Sequence, residues 1–104
     1  MIIGLEARLA ELADHGRTIT YGTLAADLAV PSPGAIAQLT FALETLMEAD
    51  AAAARPLRAA LCEARLGNGL PAPGFFEKAA QLGYDTSDPA AFTAQQRQDL
   101  YKKP

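Results

Sequence analysis

Cysteine, histidine and long apolar runs are what this sequence has least of. Cys62 is the only cysteine and His15 the only histidine among 104 residues. A single cysteine excludes an internal disulfide and fits a reducing cytoplasm. One residue of each kind also excludes a His/Cys zinc site within one chain. No stretch approaches the roughly 18–20 apolar residues that span a bilayer, so no membrane partner is expected. Glu6 and Arg8 interrupt any apolar run near the start, so no signal peptide is read there. Basic residues are missing from the middle as well, with none between Arg17 and Arg55.

Alanine and leucine are plentiful by contrast. Half the residues are hydrophobic, and because many are alanine the expected core is thin and helix-rich. One domain over residues 1–104 is the natural size for such a chain. Net charge is −3 and unevenly spread. Residues 1–54 hold Arg8 and Arg17 against seven carboxylates, giving −5, and residues 55–104 hold seven basic groups against five acidic ones, giving +2. A polyanion would have to meet the second half.

The stretch 31–50 organises the rest. Ser32 is placed to cap a helix and Pro33 to open it, where its missing N–H costs nothing. Ile36, Leu39, Leu43, Leu46 and Met47 recur at helical spacing and form the inward stripe. The opposite face carries Ala37, Gln38, Phe41, Thr45 and Glu48, with Ala42 on its flank.

Before it, Leu5, Leu9, Leu12 and Ala13 predict a helix over 3–15 that Gly16 ends in a left-handed conformation. Residues 17–20 predict a short β-branched strand. Thr20 then caps a second helix, with Leu24, Ala25 and Leu28 inward, which stops before Pro31. After it, Pro56 blocks continuation of the helix. Residues 56–65 are read as a strand in preference to a fourth helix, with Leu57, Ala59 and Leu61 on one face. Gly67-Asn68-Gly69 supplies a hairpin turn. A short helix over 75–82 buries Phe75 and Phe76 and ends at Gly83. Asp88 and Pro89 start a last helix carrying Phe92 and Leu100.

Helices interrupted by a short strand and followed by a hairpin make a mainly α, winged helix–turn–helix-like single domain with a C-terminal helix; an all-α bundle is the alternative. Thr20-Tyr21-Gly22-Thr23-Leu24-Ala25 resembles the T-Y-G-x-[LIV]-A run of DNA alkyltransferases and alkyltransferase-like proteins. Pro56-Leu57-Arg58-Ala59 falls where that family has P-C-H-R-V. The resemblance spans at most residues 18–75. It implies a DNA-binding or repair-associated regulator in which Tyr21 contacts phosphate. The chain departs from the family at its chemistry: Leu57 stands at the nucleophilic cysteine, Arg58 at the adjacent histidine, and the third helix has no arginine finger. Methyl transfer is therefore not expected. The run over residues 66–76, with Gly67-Asn68-Gly69 and Pro73-Gly74-Phe75-Phe76, also resembles a family of small uncharacterised bacterial proteins.

Each candidate site has a plain structural counterpart. Cys62 reads as a small core hydrophobe rather than a nucleophile, since a reactive thiolate needs a positive neighbour. Gly67-Asn68-Gly69 lacks both phosphate-loop patterns and reads as a turn. His15 suits the helix dipole. Glu44, Glu48 and Asp50 read as a solvated rim. Arg58 and Arg65, with Tyr21, are the candidate nucleic-acid contacts; Arg55, Arg58 and Arg65 read first as solvated strand ends and only second as a wing on a nucleic-acid backbone. Phe41 is apolar yet points away from the core stripe. Either the last helix covers it through Phe92 or Leu100, or Gln38, Phe41, Ala42 and Thr45 form a partner or homodimer interface. No catalytic set, metal or cofactor is expected. The function expected first is a non-enzymatic module working by protein contact; a DNA-binding regulator is the alternative.

Overall fold

The computed structural model describes residues 2–102. Five helices surround one small sheet: α1 (Leu5–Asp14), β1 (Ile19–Thr20), α2 (Tyr21–Asp27), α3 (Ala35–Ala52), β2 (Cys62–Glu63), α4 (Pro73–Gln81) and α5 (Pro89–Tyr101). The fold is mainly α with a small two-stranded sheet, as the sequence predicts. The boundaries follow local chemistry. Gly16 takes φ +62° after α1, the Thr20 hydroxyl accepts from the Thr23 N–H at 3.3 Å, and Asp88 accepts from the Ala91 N–H at 3.1 Å.

The sheet departs from the expected pairing. β1 pairs with β2 in parallel, Ile19 opposite Cys62 and Thr20 opposite Glu63. The segment after β2 does turn: the Ala64 N–H donates to the Leu70 carbonyl at 2.8 Å, with Asn68 and Gly69 at positive φ. Among the described residues no antiparallel strand follows it. The expected strand over 56–65 shrinks to two residues, because Arg58–Leu61 coils into a 3-10 turn. That turn buries Ala59, Ala60 and Leu61 together, whereas a strand would send alternate residues outward.

Helix α3 starts later than Ser32 and Pro33 suggest. Gly34, at φ +85°, is the residue before the first turn, and no side chain caps it. A left-handed residue cannot lie inside a right-handed helix, so Gly34 fixes the boundary. Leu39, Leu43 and Met47 are buried as predicted. Ile36 is a correction: it is 48% exposed, because it stands in the first turn of α3, at the edge of the core.

The interior is arranged around residues 57–62. Leu57, Ala60, Leu61 and Cys62 are fully buried, and α1, α3 and α5 all pack on this segment. Buried irregular backbone must find partners for its polar groups, and flanking helices supply them. Gln96 of α5 accepts from the Leu57 N–H at 2.8 Å, and Arg97 donates through Nε to the Ala60 carbonyl at 2.7 Å. This accounts for the polar composition of α5, which holds the core through hydrogen bonds more than through an apolar stripe. Phe92 adds an aromatic contact to Phe75 of α4, with ring centroids 6.0 Å apart.

Candidate functional site

Asp50 is the first departure from the sequence reading of the α3 surface. Instead of joining a solvated rim with Glu44 and Glu48, its side chain is fully buried. It lies one turn beyond Met47, on the core stripe, and could have been placed there from spacing alone. Its carboxylate accepts from the Arg58 backbone N–H at 3.0 Å and from the Arg58 guanidinium at 2.9 Å. Arg55 adds a contact at 3.1 Å. The hydrogen bond to Asp50 raises the Arg58 pKa further above its ordinary value. Arg58 reaches on to Glu6 at 2.8 Å, so a cation offered as a nucleic-acid contact is engaged by two carboxylates. Glu48, for its part, binds Lys78 at 2.5 Å.

The other nucleic-acid candidates are scattered. Tyr21 is half-buried, and its hydroxyl accepts from the Ala72 N–H at 3.0 Å. Burial pushes its phenol up to about 12. It lines a small apolar cavity of about 100 Å³ beside Ile36, Met47 and Phe75. Arg65 is exposed on the turn after β2, next to Leu66, which is 93% exposed.

Cys62 is fully buried, and burial pushes its thiol up to about 12 despite the opposing charge of Arg97. A thiol held neutral is a poor nucleophile. His15 lies at the end of α1, with Nδ1 2.8 Å from the Glu11 carbonyl. Among the described residues, no three His, Cys, Asp or Glu side chains gather as a metal site. Nor is any helix long and apolar enough to cross a membrane.

The four remaining candidates do come together. Gln38, Phe41, Ala42 and Thr45 line one groove of about 390 Å³ together with Ile2, Leu5, Glu6 and Leu46. Phe41 is 76% exposed, so the last helix does not cover it. The wall residues are held by local bonds: Gln38 donates to the Pro31 carbonyl at 3.0 Å, and the Thr45 hydroxyl donates to the Phe41 carbonyl at 3.0 Å. The contribution of Ile2, Leu5 and Glu6 was not legible from sequence, because it depends on how the start of α1 lies against α3. Among the described residues, Glu6 is the one charged group in the lining, and Arg58 sits on it. The groove is thus apolar and close to neutral. No family model, curated protein or solved structure matches this chain.

Proposed function

We propose that this protein is a non-enzymatic, winged-helix-like module that works by protein contact through the α3 groove. The observation that carries this reading is Phe41, a large ring left 76% exposed on the wall of an apolar groove. Exposed aromatics beside a desolvated pocket are common anchors of protein interfaces. The charge distribution favours the same reading. Helix α3 carries no basic residue, Arg58 is spent on Asp50 and Glu6, and the Tyr21 hydroxyl is committed to Ala72. Of the three candidate contacts this leaves Arg65 for DNA, whereas phosphate backbones are met by several cations at once. The buried thiol of Cys62 suits a reducing cytoplasm.

A random peptide library selected against wild type, then counter-screened against Phe41→Glu, tests this reading whatever the natural occupant is. The expected result is a set of peptides with an apolar anchor that bind wild type and lose at least tenfold in affinity with Phe41→Glu. The absence of any Phe41-dependent peptide, together with salt-sensitive binding of duplex DNA, would overturn it.

A further inference from the structure

We infer that the occupant of the groove is Phe41 of a second copy, in a two-fold dimer whose α3 helices run parallel. This rests on the contact reading above and names its partner. A two-fold interface must be self-complementary, so a projection on one copy needs a recess on the same face. The α3 face has both. Phe41 forms the outer rim of the groove on one flank of the helix, and by helical spacing the lining at Ala42 and Leu46 lies toward the other flank, beyond Gln38 and Thr45.

That arrangement decides the direction of the helices. If two copies of α3 ran antiparallel about a two-fold axis, equal flanks would meet, Phe41 against Phe41 and groove against groove. If they run parallel, opposite flanks meet, and each Phe41 enters the partner's groove beside the partner's Ala42. Only the parallel arrangement fills both recesses. Gln38 and Thr45, on the face between the flanks, then lie close to the axis, each near its own counterpart.

Charge and area favour a second copy. Among the described residues the charged residue lining the groove is Glu6, and Arg58 holds it at 2.8 Å, so covering that lining buries no uncompensated charge. A second hollow, lined by Ile3, Val30 and Pro31 among others, shares Ile2 and Gln38 with the first and extends the apolar surface. With 18 residues, α3 is roughly 27 Å long. A standard interface needs ~800 Å² per partner, so the contact has to take in the start of α1 and residues 28–31 beside α3. The molecule measures 34 × 29 × 28 Å, so one whole face suffices.

Disulfide trapping tests both the occupant and the direction. Thr45→Cys and Gln38→Cys are made singly in the full chain and oxidised across a concentration series; the native Cys62 is buried and stays out of reach. A disulfide needs Cα atoms within about 7 Å. Parallel helices meet this for 45 with 45 and for 38 with 38, but not for 38 with 45, which lie two turns apart. The expected result is linked dimer from each single variant and little mixed product when the two are combined. Adding Phe41→Glu, or Phe41→Ser where the glutamate fails to fold, should cut trapping at least tenfold. A dominant mixed 38–45 product would overturn the parallel arrangement. No trapping at any concentration, or trapping insensitive to Phe41, would overturn the second copy. Phe41-dependent peptides from the library would in that case leave the contact reading standing, and their absence would remove both.

Discussion

Asp50 and Arg58 are joined twice, once through the Arg58 backbone N–H at 3.0 Å and once through its guanidinium at 2.9 Å. The pair fixes where the chain goes after α3. Ala54 takes a left-handed φ of +55°, the Arg55 N–H returns to the Asp50 carbonyl at 2.9 Å, and the segment then enters the core. Removing the carboxylate leaves the Arg58 N–H without its acceptor while the guanidinium keeps Glu6, and a donor orphaned in this way costs about 1–3 kcal/mol. Asp50→Ala should therefore lower the unfolding free energy by about that amount, read from urea midpoints at neutral pH. A loss below about 1 kcal/mol would mean that the pair is incidental.

The polar face of α5 makes a second prediction. Gln96 accepts from the buried Leu57 N–H, and leaving such a donor without a partner costs about 1–3 kcal/mol. Gln96→Ala should destabilise by that much, while Gln95→Ala, on an exposed position, should change stability by less than about 0.5 kcal/mol. Equal effects at the two positions would show that α5 contributes only packing.

Alkali should unfold the protein through two buried acids. Burial raises Cys62 from 9.0 to about 12 and Tyr21 from 10.0 to about 12. Both groups are neutral when protonated, so between those limits the unfolded chain has lost protons that the folded chain keeps. Their stabilisation is complete below pH 9 and disappears as the pH rises to about 12. The urea midpoint of wild type should fall through that window. Cys62→Ala should flatten the fall from pH 9 upward, and Tyr21→Phe from pH 10. A wild-type midpoint that stays level would show that neither group is buried in solution.

Much of this was written in the sequence, and the losses have physical causes. The Thr20 and Asp88 caps, the turn glycine Gly16 and the stripe of Leu39, Leu43 and Met47 are local signals that place helices, whereas the Ser32 and Pro33 signal sets the start of α3 too early. The strand expected over 56–65 holds only at Cys62–Glu63; Leu57, Ala59 and Leu61 alternate like a strand, yet Arg58–Leu61 is a 3-10 turn. Its true conformation depends on bonds to Asp50, Gln96 and Arg97, which lie 8 to 39 residues away in the chain. The strand partner was missed because a two-residue parallel pairing leaves almost no pattern. Asp50 is legible from spacing: its place on the core stripe outweighs the preference of a carboxylate for solvent. For the α3 face, Gln38, Phe41, Ala42 and Thr45 could be grouped from helical spacing alone, while the α1 half of the groove needed tertiary structure.

The most direct measurement is the backbone amide spectrum of wild type from micromolar to millimolar concentration, followed by addition of duplex DNA at low salt. The account predicts concentration-dependent shifts at residues 38–46 and 2–6, their loss in a folded Phe41→Glu variant, and no response to DNA. A spectrum that ignores concentration, but shifts around Arg65 and Tyr21 when DNA is added, would contradict it.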